Sequence, residues 1–129
     1  MAKWVHADVL DGGLNAIKTV ATKMYLISAY SSGDSYATVT GNALNAGVTM
    51  SSSDYTLSSS GSNRVLTVAS GKTATATATA SGSPDLHIAH TDGSAKVLWV
   101  TDETSNQAVT SGNTINFPSG MTYTSNQPT

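Results

Sequence analysis

The side chains best suited to proton transfer or metal binding are those of His6, His87 and His90. His87 and His90 belong to the segment HIAH, whose i, i+3 spacing would bring two ring nitrogens together on a helix. On a strand the same spacing directs the two rings to opposite faces, where they cannot share an ion. The surrounding segment predicts a strand, so we expect isolated histidines and no metal site.

Serines and carboxylates are present, but none has a catalytic spacing. The sequence contains no G-x-S-x-G nucleophile motif. Asp85 and Asp92 flank predicted turns, where aspartate bonds the local backbone, and Asp102 and Glu103 end a predicted strand. The DGG at 11–13 lacks the preceding strand and following lysine of a phosphate-binding loop. We therefore predict that the protein is not an enzyme and binds no cofactor.

The low charge of the chain restricts its partners. Charged residues make up 11% of the 129 residues, against about 25% in typical soluble proteins. The six lysines and arginines are scattered and the net charge is −2, which does not favour binding to a nucleic-acid backbone. No apolar run approaches the roughly 20 residues of a membrane helix. We expect neither nucleic acid nor membrane as a partner, and low charge suits close packing among identical copies.

The absence of cysteine excludes a disulfide scaffold, a thiolate zinc site and a cysteine nucleophile. The first residues do not resemble a secretory signal, because His6, Asp8 and Asp11 interrupt the apolar run. We therefore expect a protein that is made in the cytoplasm and used without passing through the secretion machinery.

Periodicity near the start predicts a helix from Asp8 to Ala21. Apolar residues at i, i+4, i+7 and i+11 give it one apolar face, made of Leu10, Leu14, Ile17 and Ala21. We expect Asp8 to be the N-cap and Asp11 the N3 residue of a capping box. Gly12 and Gly13 each disfavour a helix by about 1 kcal/mol relative to alanine. They would allow either the close approach of another backbone or a pivot before the helix proper.

From Lys23 onward the pattern is that of short strands separated by turns. KMYLISAY predicts a central strand, DYTLSSS with NRVLTVAS a hairpin, and KTATATATAS, DLHIAHT, KVLWVTD, NTINF and MTYTS further strands. YATVTGNALNAG fits either a strand or a short helical turn. The sequence thus predicts a mainly β, single-domain β-sandwich or jelly-roll-like fold of two packed sheets with one N-terminal helix. Residues 1–22 would form the arm and helix, and residues 23–129 the β-sandwich.

Strict alternation of threonine and alanine marks one of these strands. Period-two geometry puts four hydroxyls on one face, those of Thr73, Thr75, Thr77 and Thr79, and four alanine methyls on the other. The segment is either an ordinary sandwich strand or a strand whose threonine face is a flat contact surface. Something bulky must approach the alanine face closely.

The two tryptophans have different predicted roles. Trp99 alternates with polar and apolar neighbours on a strand, and we interpret it as a core residue. Trp4 precedes the helix and is either a staple onto it or an anchor into a partner. In the anchor interpretation the segment Ala2–Asp11 contacts the partner, chiefly through Trp4, Val5, His6 and Asp8.

Two long segments of the chain resemble a known group of proteins. KWVHADVLDGGLNAIKTVATKMYLISAYSSGDSYATVTGNAL at the start and KVLWVTDETSNQAVTSGNTINFPSGMTYT near the end resemble small virion proteins of tailed bacteriophages, through the W-V-H-x-D-V-L-D start and the Gly-Asn-Thr-x-Asn stretch before a proline. The resemblance implies a structural protein with no catalytic motif. With its size and threonine-rich surface, it favours a head-decoration (cement) protein on the capsid exterior. Its partners would be the major capsid protein and copies of itself, for example as a trimer, and it would be made in the host bacterial cytoplasm.

Two other functions are compatible with the sequence. One is a tail or head–tail connector component of the same kind of virion. The other is a carbohydrate-binding module for host adsorption, which would need exposed aromatic side chains on a sheet face. The candidates for such a platform are Tyr25, Tyr30, Tyr55 and Trp99.

Overall fold

A computed structural model describes residues 3–129, which contain two α-helices, a short 3-10 turn and nine strands. In chain order these are α1 (Ala7–Val20), β1 (Lys23–Ile27), α2 (Tyr36–Gly41), β2 (Val48–Thr49), the 3-10 turn (Ser52–Asp54), β3 (Tyr55–Ser60), β4 (Asn63–Val68), β5 (Thr73–Thr75), β6 (His87–Thr91), β7 (Val97–Asp102), β8 (Thr114–Asn116) and β9 (Thr122–Ser125).

The described strands form three antiparallel sheets. Their orders are β2-β1-β6-β7, β3-β4-β9 and β5-β8. The predicted mainly β fold with an N-terminal helix is confirmed, as are the central place of β1 and the pairing of β3 with β4. The number of sheets differs from the predicted two, because β5 and β8 pair only with each other.

The main core lies between the two larger sheets and α1. Met24 and Ile88 of the four-stranded sheet belong to one buried cluster with Leu66 of the three-stranded sheet and Leu14 of α1. Trp99 is 9% exposed and belongs to the same cluster, so its interpretation as a core residue is confirmed. The N-terminal helix therefore contributes to the same core as the two larger sheets.

A second, smaller cluster covers the other face of the four-stranded sheet. Tyr25, Ile27 and Ala89 are buried there against Val39 of α2. This helix is the segment that the sequence left open between a strand and a helical turn. It begins where the Ser35 side chain accepts a hydrogen bond from the backbone N–H of Thr38 at 3.2 Å, an N-cap that favours the helical alternative.

The start of α1 differs from the sequence prediction. The N-cap is His6, whose ring Nδ1 accepts a hydrogen bond from the backbone N–H of Asp8 at 3.1 Å. Asp8 lies two positions beyond the N-cap and so cannot cap the helix, although its charge in the first turn still suits the helix dipole. Gly12 and Gly13 are inside an unbroken helix, and a Cβ on either would meet nothing within 4 Å. Both predicted roles for the glycines, a close backbone approach and a pivot, are therefore wrong.

Polar contacts fasten α1 to the three-stranded sheet. Asp11 accepts two hydrogen bonds from the guanidinium of Arg64 on β4, at 2.8 and 3.3 Å. Both side chains are mostly shielded, with 20% of Arg64 and 14% of Asp11 exposed, so this two-point pair is stronger than an exposed ion pair. Near the other end of the helix, Lys18 donates to the backbone carbonyls of Ser52 and Tyr55. Asp11 therefore binds α1 to β4 through Arg64 and is not the capping-box N3 residue that the sequence predicts.

The threonine–alanine segment is not one continuous strand. Regular pairing ends at Thr75, and beyond it the backbone forms only isolated bridges, from Ala76 to Asn45 and from Ala80 to Val109. The two predicted faces are nevertheless present, with all four threonines exposed. Ala76 is 2% exposed within the main core, and the neighbouring alanines pack against it.

We predict that Gly12→Ala stabilises the protein by about 1 kcal/mol. Gly12 is exposed, lies inside α1 and has room for a methyl group, so alanine gains helix propensity without a clash. Urea denaturation at neutral pH, with the free energy of unfolding taken from the midpoint and slope, measures the change.

Gly61→Ala is the matched control. Gly61 in the β3–β4 turn also has free space around a Cβ, but its φ is +61°, so alanine should destabilise the protein there. Equal effects of the two substitutions, or a loss of stability in Gly12→Ala, would contradict the helix described for residues 7–20.

Candidate functional site

The outer side of α1 carries a second apolar stripe that the protein itself does not cover. At about 100° per residue, the buried residues of α1 lie on one side of the helix. A second set of residues lies about 100° around the helix axis from the buried residues and spans an arc of about 60°. We call this set the outer stripe. It consists of Val9, Gly13, Ala16 and Val20. All four residues are exposed, and Val9 and Val20 retain 67% and 40% of their accessible surface. The apolar part of the helix is thus wider than the surface that the sheet covers.

The outer stripe borders a groove of about 270 Å³ between α1 and strands β7 and β9. Leu98 of β7 and Tyr123 of β9 form its opposite wall. Tyr123 is 44% exposed, and its ring meets Trp99 edge to face at 5.7 Å. Because Trp99 is fixed in the core, this contact holds the Tyr123 ring in place. The groove is therefore a preformed concavity whose lining side chains are mostly apolar.

Trp4 lies just before α1 and is 69% exposed. Its ring meets His6 edge to face at 5.9 Å, and its exposure does not fit a staple buried against the helix. The backbone next to Trp4 is fixed, because the amide side chain of Gln127 accepts a hydrogen bond from the N–H of Val5 at 3.0 Å and donates one to its carbonyl at 2.9 Å. Trp4 is thus an exposed aromatic side chain on an anchored backbone.

The predicted interface residues fall into two groups on different elements. Trp4, His6 and Asp8 are exposed at the start of α1, whereas Val5 is half-buried. The threonine row lies on β5 and the segment after it, which pair with β8 and Val109. Ala2, the first residue of the predicted contact segment, lies outside the described residues. Whether either group contacts a partner stays a prediction.

Sequence reasoning missed the outer stripe and the groove. It identified the apolar stripe that is buried and did not consider a second one. The signal was present, since Val9 and Val20 repeat the i, i+4, i+7, i+11 spacing with small residues between them. The contribution of Leu98 and Tyr123 could not be read from the sequence, because it depends on how α1 docks on the sheets.

His90 is a core residue held by two aromatic neighbours. Its ring stacks on Trp99 at 4.7 Å with an interplanar angle of 14°, and its Nδ1 is 2.9 Å from the Tyr55 hydroxyl. Its Nε2 is buried without a hydrogen-bond partner in the described part of the chain. Burial lowers the pKa of His90 from 6.5 to about 4, since the charged ring would lose its hydration. His90 is therefore neutral near pH 7 and acts as a structural side chain.

His87 lies on the opposite face of β6, as the strand spacing predicts, so the two rings do not meet. It faces Tyr30, with ring centroids 5.8 Å apart, and it lies near two carboxylates of the adjoining chain segments, Asp85 and Asp102. Asp92 has the predicted turn role, accepting three backbone hydrogen bonds from residues 94–96 at 2.8–2.9 Å. Those bonds lower its pKa to about 2.

The aromatic platform considered for sugar binding is not formed. Tyr25, Tyr55 and Trp99 expose 8%, 1% and 9% of their surface, and only Tyr30 of the four candidates is partly exposed. Strand alternation had not distinguished the inward from the outward face for these residues. This correction removes the residues on which the carbohydrate-binding alternative depended.

A second concavity, of about 260 Å³, lies beside the segment from Glu103 to Asn113. Core residues Leu26 and Leu86 form its floor, and polar loop residues form its rim. Glu103 is the one titratable residue that lines it among residues 3–129, and its carboxylate accepts a hydrogen bond from the backbone of Ser105 at 3.0 Å. We assign this concavity no chemistry.

Comparison with known proteins gives no assignment. No protein-family model matches the chain, no curated protein matches it, and no solved structure matches its fold. Within the described residues, neither helix combines the length and apolar character needed to cross a bilayer. Any functional proposal therefore depends on the chain's own residues and on the sequence resemblance.

We predict that acid destabilises the protein through His90. The folded-state pKa is lowered, so between pH 6.5 and about 4 the unfolded chain binds more protons than the native one. The contribution of His90 to the free energy of unfolding is therefore fully present above pH 6.5. It is lost as the pH drops towards 4, by about 3 kcal/mol in total. Urea denaturation at several pH values between 7.5 and 4.5 measures this slope.

The double substitution His90→Phe with Tyr55→Phe tests the cause. It removes both hydrogen-bond partners together, which costs less than leaving one of them unpaired, and it should flatten the slope. His6→Asn, which changes an exposed histidine but keeps a residue suited to capping, should retain the slope. An unchanged slope in the double variant would show that another group is responsible.

Proposed function

We propose that this protein is a non-enzymatic structural protein of a tailed-bacteriophage virion, a capsid decoration (cement) protein that binds the outside of the major capsid protein shell and stabilises it. The proposal combines the resemblance of the opening and closing segments to small phage virion proteins with the surface of α1. The observation that carries it is the outer stripe with its groove, because an exposed apolar concavity calls for a protein partner.

The anchored Trp4 supports the proposal. Interface energy is concentrated in a few large side chains that fill pockets on a partner, tryptophan prominent among them. A side chain on a fixed backbone loses less conformational freedom on binding than one on a loose terminus. The bonds between Val5 and Gln127 supply this fixation. The start of α1 is therefore suited to docking on a preformed surface such as an assembled shell.

Composition supports the same function. A decoration protein occurs in many copies at close spacing, and a chain with 11% charged residues places little like charge between neighbours. The exposed threonine row offers hydroxyls as a flat contact for a neighbouring copy. Self-association into a homo-oligomer on the shell is part of the proposal, and weak contacts repeated over many copies add up for the whole particle.

Electron cryomicroscopy of virions with and without this protein tests the proposed location. We expect density of the size of this fold on the outer surface of the head, and earlier rupture on heating in virions that lack it. Density confined to the tail or the head–tail connector would contradict the capsid assignment and favour the other virion location. Absence from the virion would contradict the proposal altogether.

We predict that Trp4→Ala weakens binding to undecorated heads by roughly 2 kcal/mol or more, which is a factor of about 30. The stability of the free protein should change by less than about 0.5 kcal/mol, because the side chain is 69% exposed. Sedimentation with undecorated heads and denaturation of the free protein measure the two quantities.

The matched control is Asn15→Ala, an exposed position on the polar side of the same helix, which should leave binding unchanged. If Trp4→Ala lowers stability while binding to heads stays the same, Trp4 supports the fold and is not an anchor.

A further inference from the structure

The end of the β6–β7 hairpin brings three metal-ligating side chains together. His87 on β6 is directly opposite Asp102 on β7 in the strand register. Asp85 precedes His87 by two residues, and the intervening Leu86 is buried, so Asp85 and His87 project to the same side. One ligand atom from each residue lies within 4.8 Å of those of the other two. We call this group the hairpin cluster.

The orientation of His87 leaves one ring nitrogen free to bind an ion. Its Nδ1 is 3.2 Å from the backbone carbonyl oxygen of Asp85, and because a carbonyl only accepts, Nδ1 carries the proton and donates it. In the Nδ1–H tautomer, Nε2 is the ring nitrogen that carries the lone pair, and it lies 4.0 Å from the Asp102 carboxylate. A histidine that ligates a metal commonly donates its other N–H to a backbone carbonyl in this way.

The spacing of the cluster suits a bridging ion better than a direct hydrogen bond. His87 Nε2 is 4.0 Å from Asp102 Oδ1, beyond the roughly 3.2 Å limit of a good N–H···O bond. Two ligand atoms each about 2.1 Å from a tetrahedral Zn²⁺ are about 3.4 Å apart. The ligand atoms, which lie within 4.8 Å of one another, must therefore approach each other by up to about 1.4 Å, which rotation of the exposed Asp85 and Asp102 side chains can supply.

The charge of the cluster also favours a cation. Within residues 3–129, no lysine or arginine forms an ion pair with Asp85 or Asp102. Two carboxylates thus share a small region with no lysine or arginine partner among the described side chains. The ring itself is well shielded, with 18% of the His87 side chain exposed, and it rests against Tyr30.

We propose that Asp85, His87 and Asp102 bind one divalent transition-metal ion, with Zn²⁺ the best fit. One imidazole and two carboxylates match the nitrogen and oxygen ligands of Zn²⁺, whereas Mg²⁺ and Ca²⁺ favour sites made of oxygen ligands alone. Three protein ligands leave a fourth position towards solvent for water or for a group from a neighbouring protein. The ion would join β7, an edge strand, to β6 at the end of their hairpin. This site does not depend on the proposed capsid function.

Reasoning from His87 and His90 alone predicts no metal site, and it correctly excludes one shared by the two rings. From the sequence, Asp85 and Asp102 are interpreted only as turn and strand-end residues, and not as ligands beside His87. The pairing of β6 with β7 brings Asp102 opposite His87, and that register is not visible in the spacing of residues along the chain.

Isothermal titration calorimetry of the chelator-treated protein with ZnCl₂ at pH 7.5 tests the proposal. We expect one Zn²⁺ per chain, with MgCl₂ giving no saturable binding at the same concentrations. His87→Gln and Asp102→Asn should each weaken Zn²⁺ binding by at least tenfold. His6→Asn, which alters the exposed histidine beside Asp8, should bind as the unchanged protein does. Binding should also weaken in acid, because protons compete for the imidazole.

A second measurement keeps the test independent of variant stability. Co²⁺ added to the unchanged protein should give a visible absorption band that ZnCl₂ abolishes and that Asp102→Asn reduces. Circular dichroism in the presence of chelator should show that the variants are folded. The proposal is overturned if the protein shows no saturable Zn²⁺ binding. It is equally overturned if binding survives in His87→Gln, or is lost in His6→Asn instead.

Discussion

The docking of α1 on the three-stranded sheet is the interaction on which the rest of the structure depends. It places Leu14 and Ile17 in the same buried cluster as both larger sheets, and the Arg64–Asp11 pair fixes the angle and height of the helix at its first turns. Aromatic residues make up only 6% of the chain, so few large side chains are present to fill the core. The helix therefore supplies apolar volume that the strands lack, and its removal would expose one side of β3, β4 and β9.

The same docking creates the proposed interaction surface. The apolar part of α1 spans about 160° around the axis, whereas the buried stripe spans about 60°, so the outer stripe remains exposed beside Leu98 and Tyr123. Burying these side chains against a partner would release water from apolar surface, the main favourable term in association. The hairpin cluster belongs to a different part of the molecule, the outer face of the four-stranded sheet. Interaction and metal binding are thus assigned to separate surfaces.

Local patterns predicted much of this fold. The 3.6-residue period identified α1 to within a residue at each end, and period-two alternation placed the threonines outside and the alanines inside. Features that depend on neighbours distant in sequence were not predictable. His6 rather than Asp8 caps α1 because the helix begins at Ala7, two residues before the start that an Asp8 N-cap implies. The threonine–alanine segment loses regular pairing beyond Thr75, which lies opposite the first residue of β8. The outer stripe was readable from Val9 and Val20, but its groove and the meeting of His87 with Asp102 required the tertiary arrangement.

Hydroxyl-radical footprinting of the free protein and of intact virions can show whether the surface of α1 contacts a partner, since it reports the solvent exposure of individual side chains. We predict that Trp4, Val9, Val20 and Tyr123 are labelled readily in the free protein and are protected in the virion. Thr19, which is exposed on the polar side of α1, should be labelled equally in both. Equal labelling of the outer stripe in the two states, with protection elsewhere on the protein, would contradict this prediction.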